Sequence, residues 1–168
     1  MEEFTNESFL SADIPKIEAV EFEHLERDYL YMRLLALGLA FLLLAGALVV
    51  FWFKNDIALW KLLLPYLLVL GGIIVLELKG FKIKSFALRE KDVSYQSGLI
   101  WYKHTSVPFN RIQHCEVQQG VLARLFDLAT VKVFTAGGAS SDLSISGLSK
   151  ERAQQLRDFI TQLSAQHE

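Results

Sequence analysis

Residues 34–53 read LLALGLAFLLLAGALVVFWF, twenty positions without a charge or a strongly polar side chain. A helix that is apolar all round is buried in a large core or immersed in lipid. About 20 residues is also the length that crosses about 30 Å of hydrocarbon. Residues 57–76, IALWKLLLPYLLVLGGIIVL, form a second stretch of the same length. Its one charge, Lys61, lies near the end, where a lysine can snorkel to the headgroups. Only Lys54, Asn55 and Asp56 separate the two stretches, so the sequence predicts a tight antiparallel hairpin of membrane helices. A pair of buried core helices does not fit, because a chain of 168 residues leaves too little to wrap them. A cleaved leader does not fit either. The first stretch begins after more than thirty residues, and what precedes it is acidic. The hydrophobic share of 52% and the mean hydropathy of +0.28 are concentrated in this region.

Basic residues orient the hairpin. Lys79, Lys82, Lys84, Arg89 and Lys91 follow the second stretch, and Arg27 and Arg33 precede the first. The turn has only Lys54 and Lys61 nearby. The expectation is a multi-pass protein of the cytoplasmic membrane with both termini cytoplasmic. Trp52 and Trp60 would lie at the outer interface, and Tyr29 and Tyr31 at the inner one. The single cysteine, Cys115, would then sit in a reducing compartment, where a structural disulfide is not expected.

Charge divides the chain differently. Residues 1–28 carry nine acids against Lys16 and Arg27, a net of −7, and the remainder carries a net of +5. An acidic arm and a basic domain on one membrane face would attract each other, or partners of opposite sign. Ile17, Val20, Leu25 and Tyr29 are spaced as one stripe of an amphipathic helix leading into the first span, although Phe22 interrupts it.

Beyond Lys79 the period becomes two. FKIKSFAL (81–88) alternates, and DVSYQSGLIWYKHTSVPF (92–109) continues as short strands broken at Ser97-Gly98 and near His104. IQHCEVQQ, ATVKVFTA and SDLSIS are further strands, with a hairpin turn at Gly137-Gly138. Short strands at this spacing make an antiparallel sheet or small barrel. A closing helix is capped by Ser149. It carries Ala153, Leu156, Ile160 and Leu163 on one stripe, with Arg152, Gln155, Arg157 and Asp158 facing away.

The run VPFNRIQHCEVQQGVLARLFDLATVKVFTAGG (107–138) resembles the bacterial pleckstrin-homology-like family of the YdbS type. Its marks are an R-I-Q strand, then V-x-Q-G-x-L-x-R-L-F, then a T-A-G-G hairpin. The likeness extends to the two preceding spans and the helix SKERAQQLRDFI, over about residues 14–163. Asp127 departs from the pattern, which commonly has glycine there, though aspartate tolerates the left-handed conformation. The resemblance implies an α+β membrane protein: a two-helix transmembrane hairpin, then a PH-like antiparallel β-barrel capped by a C-terminal helix. The expected division is an acidic arm with its amphipathic helix (1–28), the hairpin (29–78) and a cytoplasmic PH-like domain (79–168). The resemblance implies no enzymatic activity.

The residues point the same way. Neighbours on a strand face opposite sides. His114 should share a face with Ile112 and Glu116, and Cys115 with Gln113 and Val117, so the pair does not converge as nucleophile and base. His24, His104, His114 and His167 lack ligand spacing. Gly137–Ser141 has no following lysine or helix and is not a phosphate loop. No acid–base pair inside the spans marks an ion path. No catalytic residue, cofactor or metal site is expected.

Two candidate surfaces are left. Leu122, Arg124, Leu125 and Phe126 read as a hydrophobic plug for the barrel end, or as a protruding tip that docks a partner or the bilayer. Lys79, Lys82, Lys84, Arg89 and Lys91 would face lipid, either to enforce topology or to attract anionic headgroups. Eukaryotic PH domains hold phosphoinositides near their first hairpin. Here the alternating signs of Arg89-Glu90-Lys91-Asp92 make a weak phosphate site. The leading expectation is a scaffold that binds other membrane proteins, with an anionic-lipid sensor as the alternative. Expected partners are membrane lipids and a larger membrane protein with related PH-like domains, or further copies of the chain. Nucleic acid is not expected.

Overall fold

The computed structural model describes residues 22–55, 58–136 and 141–166. Helix α1 spans Arg27–Lys54 and helix α2 spans Trp60–Ile83. At 1.5 Å per residue these are about 42 and 36 Å long, more than the hydrocarbon layer requires. Both are long and apolar enough to cross a membrane, and neither has a buried residue. They touch through Tyr66, whose hydroxyl donates to the Phe41 carbonyl at 3.1 Å. The rings of Phe41 and Tyr66 meet edge-on at 5.7 Å. Pro65 lies inside α2, six residues into the helix, where its missing N–H leaves the Lys61 carbonyl without its ladder donor.

The remaining elements are β1 (Glu23–His24), β2 (Ser85–Leu88), β3 (Asp92–Ser97), β4 (Lys103–Pro108), β5 (Ile112–Gln118), α3 (Val121–Leu125), β6 (Leu128–Thr135), β7 (Leu143–Ser149) and α4 (Lys150–Gln166). Strands β1-β2-β3-β4 form one antiparallel sheet, and β5-β6-β7 form another. The expected barrel is therefore corrected to two open sheets. A single 3₁₀ turn, Phe109–Arg111, separates β4 from β5 and ends one ladder before the next begins. Just past β1, Glu26 N–H donates to the Gly147 carbonyl of β7 at 3.0 Å. Phe109, Val93, Val131, Val133, Ile145 and Leu148 fill the space between the sheets. Helix α4 buries Ala153, Leu156 and Ile160 against them, and Ser149 Oγ accepts from Arg152 N–H at its start.

Several local expectations change. The alternation over 81–88 is strand only from Ser85, because α2 continues to Ile83. Lys79 and Lys82 are exposed on those last turns, so a solvated helical face mimicked a strand pattern. No break occurs near His104, which lies inside β4 and pairs with Gln96. The amphipathic helix is absent from Phe22 to Glu26. Glu23 and His24 instead pair with Phe86 and Ser85, and Leu25 is buried in the core. The membrane hairpin is thus inserted between the first two strands of the sheet domain, which takes residues from both sides of it. Asp127 is left-handed, at φ 50°. The rest of the acidic arm, Asp56-Ile57, and the Gly137-Gly138 turn lie outside the described residues.

Candidate functional site

Polar contacts cluster at the junction between hairpin and sheets. Arg33 grips Glu77 with two bonds, Nε to Oε1 at 2.8 Å and a terminal nitrogen to Oε2 at 3.1 Å. These residues flank the apolar stretches, so the pair marks the margin of each. Lys84 lies 3.8 Å from the same carboxylate and places its amine over the Tyr29 ring at 5.1 Å. Burial lowers the Lys84 pKa, and Glu77 partly opposes that. The base of the Tyr29 side chain meets Gly147. A Cβ at Gly147, where φ is +83°, would lie 2.6 Å from Tyr29 Cγ. Only glycine allows this approach. Neither Gly147 nor the Arg33–Glu77 pair stood out in the sequence, because their meaning arises from contacts 44 to 118 positions apart.

The basic residues do not form one cluster. Lys79, Lys82 and Lys84 lie at the end of α2, the last engaged with Glu77. Arg89 and Lys91 occupy the β2–β3 turn, at the other end of β2. Arg89 sits 3.8 Å from Asp92.

At His114-Cys115 a bulge decides the geometry. Ile112 pairs with Thr135 and His114 with Phe134, leaving Gln113 as the extra residue. Ile112 therefore joins the core, and the expected sharing of a face by Ile112 and His114 is corrected. His114 stacks on Phe134 at 4.4 Å and lies 3.7 Å from Glu116 on the exposed surface. Cys115 packs against the core, and burial pushes its thiol up to about 11. A thiol held protonated in this way is a poor nucleophile. Among the described residues no group of three His, Cys, Asp or Glu side chains could hold a metal ion.

Helix α3 lies beside α1. Leu122 and Phe126 are half-buried, while Arg124 is exposed and Leu125 is 75% exposed. Val121, one turn before Leu125, is 86% exposed. Leu122 and Phe126 thus face the protein, while Val121, Arg124 and Leu125 face outward. A second apolar segment, Leu99–Tyr102, is exposed in the β3–β4 loop. Sequence reading passed over it as part of a strand run, although Gly98 marks the turn.

The family model described as the bacterial PH domain matches residues 30–164. The transmembrane protein YdbS of Bacillus subtilis (strain 168), a UPF0699 protein, is 36% identical over 83 residues. That match covers 49% of this chain and 50% of YdbS, so the chain spans about half the length of this curated relative. A crystal structure of a DUF1696 family protein with a pleckstrin-homology domain, from Shewanella loihica, aligns with a TM-score of 0.38 at 18% identity. It covers 48% of this chain and 70% of the other. With most of its length matched, two membrane-length helices and two antiparallel sheets closed by a C-terminal helix, the chain is a membrane protein that belongs to the bacterial PH domain family.

Proposed function

We propose that this chain is a non-catalytic, membrane-anchored interaction protein whose PH-like domain binds other membrane proteins at the cytoplasmic face. The observation that carries this reading is α3, a short helix beside α1 with Val121, Arg124 and Leu125 turned outward. An apolar pair flanking an arginine is the composition of an interface core, and a partner anchored in the same membrane can reach it. The rigid mount supports the reading. The domain meets α1 through the Glu26–Gly147 bond and meets α2 at Lys84, with no free linker at either end. Pairing of β1 with β2 supports a hairpin with both ends on one side, and the excess of Lys and Arg there supports the cytoplasmic side. A larger membrane protein with related PH-like domains is the expected partner, and a further copy of this chain is the other. The half-buried Cys115, its thiol held protonated, supports the absence of cysteine chemistry.

A photo-crosslinking side chain at Leu125, in native membranes, should join the chain to a second membrane protein as a discrete adduct. Leu125→Glu and Arg124→Glu should abolish co-purification of that protein in mild detergent. Unchanged co-purification with both substitutions sinks the assignment. Lipid sensing through the basic residues is less well supported, because Arg89 and Lys91 stand apart from Lys79 and Lys82. Charge reversal at Lys79 and Lys82 should leave co-purification intact.

A further inference from the structure

We infer that the β3–β4 loop, Gly98-Leu99-Ile100-Trp101-Tyr102, is a third membrane contact that seats in the headgroup layer of the leaflet beside the sheet domain. Strand β2 leads away from the end of α2, and β3 returns antiparallel to it, with Gln96 opposite Ser85. The loop after Ser97 therefore runs back past the point where the chain leaves the helix. Six residues separate Glu77 from Ile83 in α2, a rise of about 9 Å above the apolar stretch. The four residues from Gln96 to Ile100 reach up to about 13 Å. That is enough to return the tip to the polar layer, which is about 5–7 Å deep on each side.

The loop is also shaped for that place. Gly98 has φ +93°, and a Cβ there would lie 1.9 Å from the Trp101 carbonyl oxygen. The tight turn leaves Ile100 66% and Trp101 84% exposed. Tyr102 Oη donates to Gln96 Oε1 at 3.0 Å, and Gln96 Nε2 donates to Ser85 Oγ at 2.6 Å. The apolar tip is thereby tied to the strand that issues from α2. Tryptophan and tyrosine are the side chains that favour the membrane–water boundary. Among the described residues outside α1 and α2, nine large apolar side chains are exposed, and four of them are Leu99, Ile100, Trp101 and Tyr102. Such a concentration in one five-residue loop marks an interaction surface, and its place beside the end of α2 makes lipid the occupant.

The inference rests on the hairpin lying in the bilayer, and fluorescence separates the two claims. Full-length protein is reconstituted in vesicles of phosphatidylcholine and phosphatidylglycerol, with or without lipids that carry a nitroxide near the headgroup. One variant keeps only Trp101 (Trp52→Phe with Trp60→Phe). The other keeps Trp52 and Trp60 (Trp101→Phe). Trp101 emission should be blue-shifted from that of N-acetyltryptophanamide, at least halved by nitroxide lipid, and shielded from acrylamide. Emission like the free indole, with no quenching by nitroxide lipid, overturns the inference if Trp52 and Trp60 are quenched. If those two also escape quenching, the membrane hairpin itself is wrong.

Discussion

Leu43 and Phe109 are both large and apolar, and the chain treats them in opposite ways. Leu43 is 77% exposed on α1, while Phe109 is fully buried between the two sheets. The same contrast holds for the regions around them. The hairpin turns its leucines, valines and phenylalanines outward and buries none. The sheet domain encloses Val93, Val131, Val133, Ile145 and Leu148. Burial is favourable only relative to the surrounding solvent. In water, hiding apolar surface drives folding. In lipid it does not, and helix contacts depend on packing and on a few hydrogen bonds, such as Tyr66 to Phe41. Arg33, Glu77 and Lys84 stand where the two regimes meet.

Substitutions can break that contrast. Phe109→Ala should cost about 3–5 kcal/mol, measured as the loss in unfolding free energy of the full-length protein in mild detergent. A loss under about 1 kcal/mol would remove the idea of a packed core. Cys115 tests how dry that core is. Its ordinary pKa of 9.0 is raised to about 11 by burial. Thiolate is therefore scarce in the folded chain, and alkylation at pH 8 should run up to roughly a hundredfold slower than after unfolding. The sign for stability follows. The fold prefers the neutral thiol, so this contribution is complete below pH 9.0 and fades as pH rises towards about 11. Alkylation at the unfolded rate would mean that water reaches Cys115.

Gly147→Ala attacks the joint between the regions. Its Cβ would strike the base of the Tyr29 side chain at a positive φ, and the expected cost is about 1–3 kcal/mol. The thermal midpoint should fall while α1 and α2 stay helical by circular dichroism. Leu43→Ala should change stability by less than about 0.5 kcal/mol, since its side chain faces outward in a lipid-like setting. A core-sized loss there would place α1 in contact with protein rather than lipid.

Elements that carry their own periodicity were legible in the sequence. The two unbroken apolar stretches, the alternation of β6 and β7, and the stripe of α4 with its Ser149 cap all lie where the pattern puts them. Asp127 adopts the left-handed backbone that its place in the family pattern calls for. What escaped depends on pairing at long range. Strand β1 is two residues long and has no period to read. The Gln113 bulge is set by partners on β6, so strict alternation misassigned Ile112. The basic residues looked continuous from 79 to 91 because sequence distance conceals that β2 carries Arg89 and Lys91 away from α2. The exposed tip at Ile100-Trp101 read as strand because its apolar composition suits a strand equally well. Only the register of Gln96 with Ser85 locates it.

Placing the hairpin between β1 and β2 also imposes an order on biogenesis. His24 and Ser85 are partners 61 residues apart. At about 5–20 residues per second, β1 waits roughly 3–12 s for the strand that completes its ladder. Only a helix pair whose two ends emerge together can bring Ser85 back to it. A chain with one helix misplaced would leave Leu25 and the edge of β1 uncovered, where proteases find them. Completion of the first sheet thus depends on both helices being in place.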